Sequence, residues 1–211
     1  MAWVSESIES ARPGMKTSFT WVCSAGGPLI VAPAEIAPQW RGVQGWSPSE
    51  GRWGLAGESV SDYARACGTD DYLGTLQVGH GKALILGDEP MQTAFIPNSE
   101  GGILVRWMYA ESEGGVRRAL GAFPESAWEP TPHRIEVARE GLLVFDSACP
   151  GDALPPPSGD GVPASWIRIE LPTGTYTVDT ADYEPDGSTR LILHRLRGRR
   201  LDLVGRTPLW G

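Results

Sequence analysis

Three histidines are the residues of this sequence best suited to metal binding or proton transfer. His80 lies between two glycines, His133 follows a proline, and His194 lies in an apolar run. Zinc sites combine His, Cys and carboxylate ligands at short recurring spacings, such as two histidines on one helix face. No such spacing occurs here. We therefore expect no metal site and no cofactor, and we interpret His80 as an exposed turn residue.

The usual motifs of nucleophilic catalysis and phosphate binding are also missing. No Gly-x-Ser-x-Gly turn occurs, and Gly79-His80-Gly81-Lys82 opens a strand without the spacing of a phosphate loop. The pairs Asp70-Asp71 and Asp88-Glu89 could serve as acid and base only if two carboxyls faced each other across a bond. Adjacent carboxylates on a loop usually point apart into solvent. We therefore predict a protein that is not an enzyme.

Tryptophan is unusually frequent, with 9 in 211 residues. Core packing accounts for most of them, but Trp40, Trp46 and Trp53 lie in or beside a glycine-rich stretch. They either anchor this stretch to the body of the protein or form an exposed binding surface. The second alternative would suit a β-sandwich that binds a carbohydrate or small ligand and, with a carboxylate pair, resembles a hydrolase.

The cysteines and the apolar runs predict where the protein resides. Cys23, Cys67 and Cys149 are odd in number and widely spaced, which favours buried thiols in a reducing cytoplasm over disulfides. No apolar run approaches the roughly 18 residues of a membrane span. Residues 1–19 contain no secretory signal. We therefore predict a cytoplasmic protein that does not enter the membrane.

Charge is unevenly distributed along the chain. With 26 acidic and 18 basic residues the net charge is −8, which argues against direct nucleic-acid binding. Residues 187–211 contain six arginines and one acid, and we expect these arginines to pair with acids elsewhere. Residues 62–113 contain eight acids and only three bases. This segment either serves solubility alone or forms a surface for a basic protein partner. The predicted partner-binding residues are Asp62, Tyr63, Asp70, Asp71, Tyr72, Asp88 and Glu89.

The elements that must position these residues are mostly strands. The 27 glycines and 18 prolines favour short strands joined by turns. One helix is predicted over 59–67, capped by Ser59, with Val60, Tyr63, Ala64 and Cys67 on one apolar face. Strands are predicted at 19–23, 29–32, 73–78, 82–86, 93–96, 103–109, 134–137, 141–146, 166–171, 176–180, 190–196 and 201–204.

The two halves of the sequence look alike. Gly27–Val31 matches Gly141–Phe145, and Ile103–Trp107 matches Ile192–Leu196. The fold is therefore predicted to be mainly β, either an antiparallel two-sheet sandwich or two similar β lobes from an internal duplication, with one or two short helices. The predicted divisions are a flexible extension over 1–18, a first lobe over 19–115 with a Trp/Gly-rich insertion at 41–58, and a second lobe over 116–211 packed on the first.

Several stretches in the first half together carry a family resemblance. Their order along the chain, more than any one of them, is informative. They are Trp21-Val22-x-Ser24-x-Gly26-Gly27-Pro28-Leu29-Ile30, Ser61-Asp62-Tyr63-x-Arg65-Ala66-Cys67, Asp71-Tyr72-Leu73-Gly74, Ala83-Leu84-x-Leu86-Gly87-Asp88-Glu89-Pro90 and Gly102-x-Leu104-Val105-Arg106-Trp107. The sequence resembles the immunity protein 21 family of bacterial polymorphic toxin systems, closely over Trp21–Tyr109 and more loosely beyond.

The resemblance implies a small cytoplasmic, mostly β protein. Such a protein is encoded beside a toxin, which it binds and neutralises, and the resemblance supplies no catalytic residues. The acidic balance adds a separate inference from charge. Carboxylates could occupy the basic, phosphate-shaped cleft of a nuclease toxin.

Overall fold

The computed structural model describes residues 18–47, 52–55, 60–87, 89–154 and 163–198, with the backbone alone at 45–47 and 52–55. In chain order the strands of this part are β1 Leu29–Pro33, β2 Gln44–Ser47, β3 Arg52–Leu55, β4 Gly74–Val78, β5 Gly81–Leu86, β6 Gln92–Asn98, β7 Gly101–Tyr109, β8 Glu129–Val137, β9 Leu142–Asp146, β10 Trp166–Ile169, β11 Gly174–Asp186 and β12 Thr189–Gly198. The helices are α1 Asp62–Cys67 and α2 Glu113–Gly121, and 3-10 turns occupy Ala37–Gln39 and Glu125–Ala127.

Ten of these strands form two antiparallel five-stranded sheets, which confirms the predicted two-sheet sandwich. The first sheet has the order β10-β9-β1-β5-β4, and the second has the order β6-β7-β12-β11-β8. Each sheet combines strands from both sides of residue 115. The two halves of the sequence therefore interleave and do not build separate sheets.

The matching segments of the two halves are neighbours in space. β1 pairs with β9 at the centre of the first sheet, where Val31 is opposite Val144. β7 pairs with β12 at the centre of the second, where Val105 is opposite Leu193. Strands of similar sequence thus lie side by side in both sheets.

Three apolar clusters hold the layers together. The largest fills the space between the sheets and includes Leu84, Leu104 and Val144. A second covers the outer face of the first sheet with Trp40 and Ala66, and a third packs α2 on the outer face of the second. Because β1 is covered on both faces, all five of its residues are buried, as its continuous apolar run predicts.

The two long sides of the sandwich differ. On one side Val22 bridges Thr93 of β6 and Ala164, just before β10, so the chain connects the two sheets there. On the other side β4 and β8 are edge strands, and the Thr75 hydroxyl lies 3.4 Å from His133 Nδ1. The two sheets thus approach each other through β4 and β8 on this second side.

The structure corrects two predictions near the N-terminal end. Within residues 19–23 only Val22 forms β-bridges, to Thr93 and Ala164, and there is no strand. The Trp/Gly-rich insertion at 41–58, for which no strand is predicted, contains the β2–β3 hairpin, in which Gly45 is opposite Gly54 and Trp46 is opposite Trp53. Tryptophan is enriched in strands, but glycine is depleted in them. The many glycines of this stretch therefore concealed the strand pattern.

The predicted helix is shorter than expected and presents a different face. It begins at Asp62, and Ser61 caps it by accepting a hydrogen bond from the Ala64 N–H (3.0 Å). The predicted apolar face is wrong. Ala66 is the buried residue of the helix, while Val60, which precedes it, is 72 % exposed.

Helix α2 was not placed by the sequence prediction. It begins with Glu113, Gly114 and Gly115, and glycine is a poor helix former. Ser112 caps it by accepting from the Gly115 N–H (3.3 Å), and burial of Val116 and Ala119 against the second sheet stabilises it. Tertiary packing therefore overrides local propensity in this helix.

The strands predicted at 73–78 and 82–86, and at 93–96 and 103–109, pair as two hairpins. β4 and β5 join through a turn in which Gly79 has a φ of +55°, a conformation that favours glycine. β6 and β7 join through the turn before Gly101. The predicted strand at 201–204 and the extension at 1–17 lie outside the described residues.

Candidate partner-binding face

Arg106, in the middle of β7, organises the loops that carry most of the predicted acidic residues. It is 1 % exposed. Its guanidinium donates hydrogen bonds to the carbonyl oxygens of Tyr72, Gly87 and Glu89, each at 2.8 Å. A longer bond reaches the Leu86 carbonyl at 3.3 Å. One buried cation thus holds together the loop before β4 and the loop after β5.

The two loops touch at Gly87. A Cβ atom at this position would lie 2.5 Å from the carbonyl oxygen of Asp71, so the close approach requires glycine. The guanidinium carbon of Arg106 lies 5.8 Å from the centre of the Tyr72 ring, within cation–π range. The loops are held by the hydrogen bonds from Arg106, by the close approach at Gly87 and by the position of the Tyr72 ring. Asp71, Tyr72 and Glu89 therefore lie in one region of the surface.

The predicted residues on these loops are available to a partner. Asp70, Asp71 and Glu89 are exposed, and Tyr72 is half-buried. Asp88 lies outside the described residues. We call Asp70, Asp71, Tyr72 and Glu89 the acidic face.

The other two predicted residues have structural roles in α1. Asp62 accepts a hydrogen bond from the Arg41 N–H (2.8 Å) and forms an ion pair with Arg65 (2.8 Å). Tyr63 lies against Gly27, where an added Cβ would approach its ring to 2.5 Å. Both side chains fix α1 to the loops before it. These contacts involve neither Arg106 nor a residue of the acidic face.

The structure adds acidic residues from the second sheet that sequence reasoning missed. Asp182 of β11 forms an ion pair with Arg190 (2.6 Å), and Arg190 interacts electrostatically with Tyr72. The Tyr109 hydroxyl donates to Glu184 (2.8 Å), which raises the pKa of the Tyr109 phenol. No local pattern could identify these residues, because about 110 residues separate Tyr72 from Asp182.

The prediction for the C-terminal arginines is confirmed where the structure describes them. Arg190 pairs with Asp182, as above. Arg195 forms ion pairs with Asp179 (2.8 Å) and Glu125 (2.7 Å), and Arg197 also reaches Asp179 (3.2 Å). These cations neutralise acids within the fold and do not form a basic patch.

Trp40 does not belong to an exposed binding surface of tryptophans. Trp40 is 0 % exposed and donates its indole N–H to the Ser147 carbonyl (2.8 Å). It therefore belongs to the core and cannot line a carbohydrate groove. The side chains of Trp46 and Trp53 lie outside the described part of the chain.

The structure also places the remaining candidate residues, which are His80 and the three cysteines. His80 is exposed in the β4–β5 turn, as predicted. Cys23 and Cys149 are half-buried and Cys67 is exposed, so the prediction of three buried thiols is wrong for Cys67, which lies at the end of α1. Burial raises the pKa of the Cys23 and Cys149 thiols.

Metal-binding clusters and membrane-spanning helices are both absent from the described residues. Within them, no group of three or more His, Cys, Asp or Glu could hold a metal ion. Neither helix of this part is long and apolar enough to cross a membrane.

Comparison with known proteins identifies the family. The family model of immunity protein 21 matches residues 20–189, from the segment that connects the sheets to the start of β12. Searches of curated proteins and of solved structures found no match. The family match covers most of the chain and extends well beyond the first-half motifs that carry the resemblance. The chain belongs to the immunity protein 21 family, whose members are immunity proteins against toxins.

Proposed function

We propose that this protein binds a toxin encoded by a neighbouring gene and neutralises it in the cytoplasm, without catalysing a reaction. Family membership supports the general role of an immunity protein. The observation that supports the binding surface is the Arg106 network, which turns two separate acidic loops into one exposed face. No described residue set favours the carbohydrate-binding alternative.

The chemistry of the acidic face suits a basic cleft. Asp70, Asp71 and Glu89 present carboxylates, and Tyr72 supplies an aromatic ring beside them. Carboxylates accept charge-assisted hydrogen bonds from the same arginines and lysines that bind phosphate. We therefore propose a nuclease toxin as the target, with the acidic face occupying the site of its nucleic-acid substrate.

The direct test is co-expression of the full chain with the product of the adjacent gene. We expect a tight one-to-one complex in a pull-down through a tag on this chain, and rescue of growth from the toxicity of that product. A toxic neighbour that grows no better with this chain, and does not bind it, would contradict the proposal.

The binding surface is tested by reversing charge. Substitution of Asp70, Asp71, Asp88 and Glu89 by Lys is expected to weaken toxin binding by at least about a hundredfold, because each replaces attraction by repulsion. The fold should persist, since the described members of the set are exposed. Isothermal titration calorimetry measures the affinity, and thermal unfolding measures the stability.

A matched control uses acids at the opposite end of the sandwich. These acids lie at or near the β6–β7 and β8–β9 turns and the end of β10, and they are Glu100, Glu136, Glu140 and Glu170. The control carries the same change in net charge and should bind nearly as well as wild type. Equal losses in the two variants would indicate a general charge effect and reject the acidic face.

A further inference from the structure

Strand β4 is the last strand of the first sheet, and one of its edges is unpaired. It follows shortly after the loop that carries Asp70, Asp71 and Tyr72. Its sequence, Gly-Thr-Leu-Gln-Val, contains neither a proline nor a charged residue. Proteins usually protect such an edge, because its unpaired backbone groups can bond to another chain.

The other three edge strands are protected. On β6, Thr93 exchanges two backbone hydrogen bonds with Val22, each 2.8 Å long. Pro130 and Pro132 interrupt β8, and neither can donate a backbone hydrogen bond. Strand β10 has only 4 residues. Within the described residues, β4 therefore has the edge that is most open to a partner strand.

Two observations show which backbone groups of β4 face outward. The β4–β5 hairpin has a two-residue turn, so Val78, which precedes the turn, bonds to β5. Bonding alternates along an antiparallel strand, so Leu76 also bonds to β5, whereas Thr75 and Gln77 bond away from it. Accordingly, the Gln77 carbonyl accepts a hydrogen bond (2.9 Å) from the guanidinium of Arg65, which does not belong to the sheet.

Three outward groups of β4 have no hydrogen-bond partner among the described residues. They are the N–H and the carbonyl of Thr75 and the N–H of Gln77. One extended segment of a partner could bond to all three, because they lie along a single edge. In this mode of recognition, backbone hydrogen bonds supply affinity and alternate side chains supply specificity.

A cleft of about 590 Å³ beside β4 gives room for the side chains of an added strand. Thr75 and Gln77 line it from β4, and residues 132–134 line it from β8. Its two acids, Glu35 and Glu136, already accept hydrogen bonds from a backbone N–H and a threonine hydroxyl of the chain. Side chains alternate along an extended strand, so every second residue of the added strand would enter this cleft.

The two ends of β4 differ in charge. Asp70 and Asp71 precede the strand, and both are exposed. Lys82, which is opposite Gln77 on β5, is exposed and forms no ion pair within the described residues. An added strand is therefore complementary when it has a basic residue beside the start of β4 and an acidic residue beside its end.

We infer that the toxin adds one extended strand to the open edge of β4. The strand bonds to both backbone groups of Thr75 and to the Gln77 N–H, and its basic end lies beside Asp70 and Asp71. This inference rests on the proposed function and deepens it, since it names the kind of toxin segment that binds next to the acidic face.

A proline at an outward position tests strand addition in the complex. Thr75→Pro removes the outward N–H and places a ring in the space of the added strand, but it keeps the bonds of Leu76 and Val78 to β5. We expect it to weaken toxin binding by at least about tenfold. Thr75→Val is the matched control, because it keeps the N–H and should bind within about twofold of wild type. Isothermal titration calorimetry measures the affinity, and thermal unfolding verifies that both variants are folded.

Backbone amide exchange provides a test that needs no variant. In the free chain, labelled with ¹⁵N and followed by NMR, the amides of Thr75 and Gln77 should exchange fast and those of Leu76 and Val78 slowly. In the complex with the product of the adjacent gene, Thr75 and Gln77 should become as protected as Leu76. Slow exchange of Thr75 in the free chain would overturn the inference. Protection that rises with the concentration of the free chain would assign the edge to a second copy and would also overturn it.

Failure of this inference is distinguishable from failure of the proposed function. If the toxin binds while Thr75 and Gln77 still exchange fast, or if Thr75→Pro binds like wild type, strand addition is wrong and the proposed function stands. If the toxin does not bind wild type at all, the proposed function fails and this inference fails with it.

Discussion

Arg106 holds the loops of the acidic face in place, although its own side chain is buried. It lies in an apolar strand, between Val105 and Trp107, and its charge is satisfied by backbone carbonyls from two loops. A planar guanidinium with five donors can serve several acceptors at once, whereas an ammonium serves them only from one point. An arginine in an apolar run is a sequence signal for such a network.

At this scale we predict that Arg106→Lys destabilises the protein and weakens toxin binding together. Loss of several buried hydrogen bonds should lower the free energy of unfolding by about 3 kcal/mol. Urea denaturation measures this change. Arg134→Lys, at an exposed position of β8, should change it by less than about 0.5 kcal/mol. Arg106→Lys with unchanged stability and unchanged toxin affinity would show that the network does not shape the face.

At the scale of elements, the start of α2 anchors the segment that connects the two sheets. Glu113 accepts hydrogen bonds from the Phe19 N–H (3.2 Å) and the Trp21 indole N–H (3.1 Å), and it pairs with Arg117 (2.7 Å). Arg117 lies over the Phe19 ring at 3.8 Å. Burial raises the pKa of Glu113, but the hydrogen bonds outweigh this effect and hold it below its ordinary value.

The direction of this pKa shift fixes a pH dependence. A carboxyl whose pKa is lower in the folded state stabilises the fold above its unfolded pKa, about 4.3 for Glu. This stabilisation is lost as the pH falls through the lower, folded value. Glu113→Gln should therefore cost about 1 kcal/mol at pH 7, and the difference from wild type should vanish in strong acid.

Chemical denaturation between pH 7 and pH 2 provides the measurement. Glu111→Gln, at an exposed position beside α2, is the control and should follow the wild-type curve throughout. A Glu113→Gln curve that keeps a constant distance from wild type down to the lowest pH would contradict the proposed linkage.

At the scale of the whole molecule, the acidic face keeps carboxylates that the arginines of β12 do not neutralise. The β12 residues Arg190 and Arg195 form ion pairs with Asp182 and Asp179. Asp70, Asp71 and Glu89 are exposed at one end of the sandwich. With a net charge of −8, the molecule attracts a basic partner over distances beyond contact. Under the proposed function, we expect the approach of that partner to be guided towards the acidic face.

Salt should consequently slow association with the toxin. We expect the association rate constant to fall about tenfold when ionic strength rises from about 0.05 M to about 0.5 M, with a smaller change in the dissociation rate constant. Stopped-flow fluorescence measures both. The fourfold Lys variant should lose this dependence, and a wild-type rate that does not respond to salt would exclude electrostatic guidance.

The sequence by itself determined the fold class and the main strands. The continuous apolar run of β1 predicts a strand covered on both faces, and Gly79 predicts the β4–β5 turn. These features depend on residues within a few positions of one another, so local pattern is sufficient. The excess of acids over 62–113 also predicts a surface for a basic partner, and this stays a prediction.

Only the tertiary structure decided which acids lie together. Pairing of β8 with β11 and packing against the loop before β4 place Glu129 and Asp182 beside Asp71. Separate contacts, of Asp62 with Arg41 and of Tyr63 with Gly27, anchor α1 to the loops before it. These outcomes depend on contacts between residues far apart in the chain, and such contacts leave no periodicity or spacing in the sequence by which they could be recognised.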